Sequence, residues 1–313
     1  SLQHETIGNL GVNLIYGAFN YADNPRKLIK SLYDDISLDK IEIDMIHFEG
    51  PVFPYVDNRL MSLQLVKKGM TDAVIFNPEG KNMLPSDILY KKDVFAVRGS
   101  FRPVTKVNID MFENGLKMFL EDTEGTPEDT VILFEITTFN LRAKGKIDER
   151  DFLDRVDVLA QLGYTVMISN FSEYYRLADY FQGYKVRYFG VAMGVNNLLM
   201  VFDESYYQGL SGGILEAFGK LFKKDTRVYL YPYKDPITHE LLNSHNLTVS
   251  ENLKELYKYF ISNRRIVDIK SYNPTYSEIY SREILSKIMC GEHDWESQVP
   301  DGVADVIKER GLF

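Results

Sequence analysis

Three cations follow one short apolar run, and they make residues 94–106 the segment best suited to bind an anion. Residues 94–97 have the composition of a buried strand, and Arg98, Arg102 and Lys106 come after it. A cation at the end of a buried strand is costly unless a negative group neutralises it. The segment therefore predicts a site for the phosphate or carboxylate group of a ligand.

Glu135 is the first candidate for acid–base chemistry at such a site. It interrupts the apolar run of residues 131–136, where a carboxylate must be paired, neutral or functional. Arg98 or Arg102 on a neighbouring strand is its expected partner. Two interpretations stay open: a catalytic carboxylate, or a buried salt bridge that fixes the register of two strands.

His47 and Glu49 form the second candidate for chemistry. Because they lie two residues apart, their side chains share one face of an extended chain. Together they could serve as a general base and the group that orients it, or as two metal ligands. The structural alternative is a histidine hydrogen-bonded to its neighbour at the end of a strand.

Two further pairs of residues extend the predicted anion site. Gly212 and Gly213 open a predicted helix, whose free backbone N–H groups and dipole favour a phosphate. Ser169 and Asn170 end a predicted strand, and parallel α/β folds bind ligands at the carboxyl ends of their strands. No metal site is predicted, because the single cysteine, Cys290, has no ligand at zinc-binding spacing. The sequence names no cofactor, since it contains neither G-x-G-x-x-G nor G-x-x-x-x-G-K-[ST].

These residues depend on a chain that alternates apolar strands with amphipathic helices. We predict eight strands, at residues 12–19, 41–48, 72–76, 94–97, 131–136, 165–169, 186–193 and 227–231. Helices are predicted between them and in the last part of the chain. The alternation favours an α/β fold, most simply a (β/α)8 TIM-type barrel with a C-terminal helical extension. An open, doubly wound parallel sheet gives the same alternation and is the alternative.

The predicted domain boundary follows a change in composition after the eighth strand. Residues 1–245 are predicted to form the α/β domain, and residues 246–313 a helical extension packed on the same domain. A homo-oligomer formed through this extension is a further possibility. The boundary therefore separates a predicted ligand-binding part from a predicted interaction part.

The overall composition limits the choice of partner. The chain has 313 residues with a net charge of −9, which argues against non-specific nucleic-acid binding. No apolar run approaches the ~18 residues of a membrane span, and the polar start lacks a secretion signal. One cysteine permits no internal disulfide. These features predict a cytoplasmic protein whose partner is a small anionic metabolite, with no nucleic acid and no membrane involved.

The chain resembles a family of bacterial proteins of the cyanobacterial and Bacteroidetes type. The resemblance runs from about residue 3 to residue 313 and is carried by four segments. The segments are residues 8–33, 59–76, 98–111 and 212–222. Members of this family are often labelled nicotinate-nucleotide adenylyltransferase, and the resemblance implies that activity. Such enzymes carry an early His-x-Gly-His motif and a late Ile-Ser-Ser-Thr-x-x-Arg motif. Gln3-His4-Glu5 and Ile168-Ser169-Asn170 are the nearest matches here, so the resemblance assigns no catalytic residue.

Two classes of function follow from these observations. The first is an enzyme that acts on a phosphorylated or carboxylated metabolite, a class that includes nucleotides, with the basic cluster holding the anion. It would be a nucleotidyltransferase if the family label applies, or a lyase, isomerase or hydrolase of the TIM-barrel type. The second is a module that binds or senses a metabolite without catalysis. Glu135, His47 and Glu49 are the predicted catalytic residues of the first class.

Overall fold

The computed structural model describes residues 2–142, 145–223 and 225–313, and within it the chain divides into two compact units. The first unit comprises residues 1–87 and 137–170, and the second comprises residues 88–136 and 171–313. Residues 246–313, predicted as an extension, belong to the second unit. Each unit is therefore described by itself.

The described residues contain thirteen α-helices and ten strands. The helices are α1 (Leu2–Asn20), α2 (Pro25–Ser31), α3 (Asn58–Lys67), α4 (Pro85–Leu89), α5 (Lys106–Thr123), α6 (Thr138–Leu141), α7 (Glu149–Gln161), α8 (Tyr174–Gly183), α9 (Val195–Val201), α10 (Gly213–Leu221), α11 (Lys254–Ser262), α12 (Ser281–Cys290) and α13 (Val303–Arg310). The strands are β1 (Ala73–Phe76), β2 (Asn82–Met83), β3 (Asp93–Arg98), β4 (Thr130–Thr137), β5 (Val166–Ser169), β6 (Phe189–Gly194), β7 (Thr226–Tyr231), β8 (Tyr233–Lys234), β9 (Leu241–Leu242) and β10 (Ile266–Asp268).

The first unit packs helices around a small antiparallel ladder. Strand β1 pairs with β5 on one side and with β2 on the other, antiparallel in both cases. Helix α3 begins after Asp57, whose carboxylate caps the helix by accepting a hydrogen bond from the backbone N–H of Arg59. Leu28, Ile29 and Leu65 lie in the buried cluster that joins α2 to α3. This unit holds two of the predicted catalytic residues, His47 and Glu49.

The first predicted strand, residues 12–19, is wrong: these residues belong to helix α1. An apolar run of eight residues fits a buried strand or a helix equally well, and periodicity alone does not separate them. The helical alternative is realised because α1 starts ten residues earlier, at Leu2, and docks on α2. Asn13 fixes that docking by donating to the carbonyl oxygens of Leu32 and Asp34 at 3.0 and 2.8 Å.

The second predicted strand, residues 41–48, is also wrong, because this segment pairs with no strand. Its backbone groups bond elsewhere. The N–H of Ile43 donates to the carbonyl of Met70 at 3.0 Å, and the side chain of Asn58 bonds both backbone groups of Phe48 at 2.7 and 3.0 Å. A side-chain clamp therefore replaces the ladder that the alternating pattern predicts.

The second unit is built on a parallel sheet with the strand order β10-β7-β6-β3-β4. All four pairings within this order are parallel. Strand β3 lies between β4 and β6, so the chain builds the sheet first to one side of β3 and then to the other. The sheet is open, and the predicted TIM-type barrel is not formed. The fold is the α/β class that the alternation predicts, in the open arrangement given as the alternative.

Helices cover both faces of this sheet. On β6, Phe189 packs on Phe181 of α8 with ring centroids 4.9 Å apart. The next residue, Gly190, faces α5, because a Cβ there would lie 2.5 Å from a ring carbon of Phe119. Adjacent strand residues point to opposite faces, so α5 and α8 lie on opposite sides of the sheet. Such two-sided cover is what a buried parallel sheet requires.

Six of the eight predicted strands are present, within three residues of the predicted bounds. Four further strands, β2, β8, β9 and β10, were not predicted, and each is only two or three residues long. Helix α7 begins after Asp148, whose carboxylate caps its first turn, and is followed by Gly163 at a φ of +83°, a conformation that favours glycine after a helix.

Candidate functional site

The candidate site lies at the carboxyl edge of the parallel sheet, beside β3. Between β3 and β6 the chain changes the direction in which it adds strands, and α/β sheets bind ligands at the carboxyl ends of strands on either side of such a point. Arg98 is the last residue of β3, and Glu135 is its direct neighbour on β4. The register therefore brings together the two charged residues that the sequence places at strand ends.

Arg98 and Glu135 form a bidentate ion pair. Nε of Arg98 donates to Oε2 of Glu135 at 2.8 Å, and Nη2 donates to Oε1 at 2.9 Å. The residues are 7% and 0% exposed, respectively. Burial disfavours the charged guanidinium, but the Glu135 carboxylate outweighs this effect and raises the pKa of Arg98. Arg98 is therefore a permanent cation whose direction is fixed by Glu135.

Helix α8 completes the surroundings of Arg98. Nη1 of Arg98 donates to the carbonyl oxygen of Ser172 at 3.1 Å, just before α8 begins. The ring of Tyr174, the first residue of α8, lies over the guanidinium, with its centroid 4.3 Å from the guanidinium carbon. Glu173 precedes α8 without capping it through its side chain. The first turn of α8 therefore points its positive end toward this region.

Tyr174 carries a buried hydroxyl that makes no hydrogen bond of good geometry among the described residues. Burial raises the pKa of Tyr174 to about 12, against the opposing effects of the Arg98 charge and the nearby Asn197 side chain. An unpaired buried hydroxyl is unfavourable and is one mark of a binding site. Sequence reasoning did not assign Tyr174 to the site; the signal it offered was its position in a tyrosine-rich helix that follows a strand end.

The two other cations of the segment lie further along it. Arg102 and Lys106 are both half-buried, Arg102 in the loop after β3 and Lys106 as the first residue of α5. The start of α5 is capped from within, because Oδ1 of Asn108 accepts from the backbone N and the Oγ1 of Thr105 at 3.0 and 2.9 Å. The start of α5 thus supplies its own hydrogen-bond partners, in contrast to the start of α8.

The glycine pair Gly212–Gly213 already has an anionic partner within the chain. Oε2 of Glu216 accepts from the N–H of Gly212 at 3.0 Å and from Oγ of Ser211 at 3.3 Å. The hydrogen bond from Gly212 lowers the pKa of Glu216. At the amino end of α10, where the glycine pair predicts the phosphate of a ligand, the hydrogen bond from Gly212 goes to a carboxylate of the same helix.

Residues 209–213 also read G-L-S-G-G, which matches the pattern G-x-S-x-G of a nucleophile elbow. That motif requires a strand before the serine. Here a 3-10 helix, Glu204–Tyr207, precedes it, and the Ser211 hydroxyl donates to a carboxylate rather than to a histidine. The match therefore carries no nucleophile.

The other predicted site residues belong to the first unit. Nε2 of His47 and Oε2 of Glu49 are 3.7 Å apart, and their side chains are 53% and 87% exposed. Ser169 is fully buried at the end of β5. Asn170 donates to Oδ1 of Asp72 at 2.9 Å, while its own side-chain oxygen is buried without a hydrogen bond among the described residues. The predicted pairing of His47 with Glu49 is present as a surface contact.

Neither a metal centre nor a membrane span is found in the part of the chain that the structure describes. No group of three or more His, Cys, Asp or Glu side chains there is arranged to hold a metal ion. No helix there combines the length and apolar character needed to cross a bilayer. Compared with known proteins, the chain matches no protein-family model and no curated protein sequence.

Proposed function

We propose that the second unit binds a small anionic metabolite, phosphorylated or carboxylated, at the carboxyl edge of its sheet beside β3. The buried, bidentate pair of Arg98 and Glu135 carries this proposal. A buried ion pair adds little stability compared with apolar residues of the same size. A fixed cation at the end of a strand next to the change in sheet direction is, by contrast, useful for holding an anion.

The donor inventory of Arg98 leaves room for a ligand. A guanidinium has five N–H donors. Two are used by Glu135 and one by the carbonyl of Ser172, which leaves two N–H groups on the terminal nitrogens. Two such donors match the two oxygens of a carboxylate or phosphate. Arg98 is not completely enclosed, since 7% of its surface is exposed, and the proposal requires that a ligand reach its two remaining N–H groups from there.

Each neighbouring residue has a separate role in this proposal. Glu135 is a positioning residue, because its carboxylate is engaged in holding the guanidinium. The Tyr174 hydroxyl is the donor that a ligand oxygen would satisfy. Arg102 and Lys106 add positive charge along the loop after β3, which raises the local concentration of anions around a chain of net charge −9.

Catalysis is a separate part of the proposal. An enzyme of this kind requires a proton-transferring group. Of the residues that the sequence offers, Glu135 lies at the proposed site but already holds Arg98, and the pair of His47 and Glu49 belongs to the first unit. The nucleotidyltransferase activity implied by the family resemblance would consume nicotinate mononucleotide and ATP and release pyrophosphate. A module that only binds its ligand would release none. One assay of pyrophosphate release with Mg²⁺ present separates these alternatives.

Titration calorimetry of the 313-residue chain tests the proposal. The ligands are inorganic phosphate, pyrophosphate, nicotinate mononucleotide, ATP and succinate. We expect at least one to bind, and the double variant R98M/E135M to weaken that binding at least tenfold. The double variant replaces both members of the pair, so no lone charge remains buried.

A second double variant, D93N/R187Q, is the matched control. Asp93 and Arg187 also form a two-hydrogen-bond ion pair, at 3.0 Å each, but at the amino end of β3. This variant should bind the ligand as the wild type does. The proposal fails if none of the five anions binds, or if R98M/E135M binds as tightly as the control.

A further inference from the structure

Helix α1 exposes an apolar face that the rest of the described chain leaves uncovered. Its exposed large side chains are Ile7 (60%), Val12 (66%), Leu14 (50%), Ile15 (61%), Tyr16 (53%) and Phe19 (86%). We call these six residues the α1 face. Between Thr6 and Asn20 the helix carries no charged residue. A surface helix normally turns its polar side outward, and α1 does the reverse.

The opposite side of α1 is what holds it to the first unit. Thr6 and Gly17 are buried, and Leu10 packs on the core of that unit. Gly17 allows close approach, because a Cβ there would lie 2.9 Å from Oγ of Ser31 and 3.2 Å from Leu28. The docked side is therefore defined by its contacts, and the α1 face is a separate, outward surface.

The spacing on the α1 face forms two ridges. Val12, Ile15 and Phe19 recur at intervals of three and four and form the outermost ridge, and Ile7 and Leu14, seven residues apart, form a second ridge on the flank of the helix. Ridges with these intervals interlock with the ridges of another helix. A Cβ added at Gly8 or at Gly11 would meet no described heavy atom within 4 Å, so both glycines leave space for a partner.

The α1 face is large for an exposed apolar surface. Its six side chains together expose roughly 700 Å² of apolar surface around the outward half of the helix, compared with 300–600 Å² for the largest contiguous patch on a typical monomer. A standard interface buries about 800 Å² on each partner, and homodimer interfaces are the more apolar ones. Charge argues against a membrane surface as the partner, because helices that lie on membranes carry Lys and Arg, and α1 has none.

We propose that this chain forms a symmetric dimer in which the α1 faces of two copies pack on each other. A self-complementary apolar face needs no second kind of protein, and a two-fold axis pairs the same surface on both copies. The interface lies in the first unit, so it shares no residue with the ligand site proposed for the second unit. It also differs from the C-terminal segment, residues 246–313, that the sequence favours for oligomerisation.

Sedimentation velocity and light scattering on the 313-residue chain test the dimer. The wild type should show twice the monomer mass of 36.2 kDa at tens of micromolar. The double variant I15E/F19E should shift the dissociation constant at least a hundredfold and give the monomer mass. Ile237 is the matched control, because it is as exposed as Phe19, at 86%, but lies outside α1. I237E should remain dimeric.

Folding and the rival partner are checked on the same samples. Far-UV circular dichroism of I15E/F19E should equal that of the wild type, since both substituted residues are exposed. A monomeric wild type, or an I15E/F19E variant that stays dimeric, would overturn the proposal. Co-sedimentation of a monomeric wild type with uncharged lipid vesicles would overturn it in favour of a membrane-facing helix.

Discussion

Replacing Arg98 and Glu135 one at a time and then together should give strongly non-additive losses of stability. Removing one member of a buried pair leaves an uncompensated charge and costs about 3–5 kcal/mol. R98M and E135M should each show a loss of this size. If the two sites were independent, the double variant would lose about 6–10 kcal/mol, which is comparable to the whole stability of a domain.

The double variant R98M/E135M should instead lose no more than about 2 kcal/mol. Both side chains are almost fully buried, at 7% and 0% exposure, so methionine replaces them with apolar groups of similar length. A methionine at position 98 can also keep contact with the ring of Tyr174, since thioethers pack well on aromatic rings. The expected coupling is therefore several kcal/mol.

Urea unfolding followed by tryptophan fluorescence measures these losses in the correct part of the chain. Trp295 is the only tryptophan, is 2% exposed and belongs to the second unit, as do both substituted residues. The free energies of unfolding of the wild type and three variants form a double-mutant cycle. Losses that simply add would show that Arg98 and Glu135 do not depend on each other, contrary to the structure.

Three further predictions concern stability and pH. Both carboxylate oxygens of Glu149 accept hydrogen bonds from Arg26, which lowers the pKa of Glu149 from its ordinary value of 4.5. The pair therefore stabilises the fold above that pH, and this contribution is lost as the pH falls through the lowered pKa. The loss of stability with falling pH, followed by circular dichroism, should be less steep in E149Q. Burial raises the pKa of Tyr174 from 10.0 to about 12, so the neutral phenol stabilises the fold below pH 10 and this contribution disappears as the pH rises toward 12; Y174F should lose less stability over that interval, and an equal loss would contradict the assignment. G190A should cost about 1–3 kcal/mol by overpacking against α5, while G183A, with open space around it, should change the unfolding free energy by less than about 1 kcal/mol.

The parallel sheet of the second unit could be predicted from the sequence because its strands are short, apolar runs bounded by polar turns. Strands β3, β4, β6 and β7 are all recognised in this way. Whether such strands close into a barrel or stay open is set by which strands are neighbours. The order around β3 depends on contacts distant in sequence, and no local pattern contains it.

The two wrong strands of the first unit fail for different physical reasons. Residues 12–19 are an apolar run whose hydrophobic side faces outward, so the usual link between apolar character and burial misleads. Residues 41–48 alternate in sequence but not in burial: Met45 is 41% exposed, while Ile43 and Ile46, three residues apart, both pack on the core of the first unit. An alternating pattern fits a strand only where a second strand is present to pair with it, and none among the described residues pairs with this segment.

The candidate site also contains residues that the sequence predicts and residues that it does not. That Glu135 pairs with an arginine follows from sequence, because a carboxylate in an apolar strand requires a partner. The sequence leaves Arg98 and Arg102 open as that partner, and the structure shows the ion pair with Arg98. Tyr174 does not follow from sequence, since the stacking of its ring on the guanidinium depends on how α8 packs against the sheet. Glu216, the partner of Gly212, lies only four residues further on in the same helix. Sequence reasoning missed it because a free helix start predicts an anion from a ligand and not from the helix itself.

A crystal of the wild-type chain soaked in sodium tungstate tests the central claim most directly. Tungstate has the charge and tetrahedral shape of phosphate, and its anomalous signal locates it without ambiguity. The proposed site predicts a peak whose oxygens lie about 3 Å from the terminal nitrogens of Arg98, and no peak at that position in R98M/E135M. Tungstate bound elsewhere, with none beside Arg98, would contradict the account.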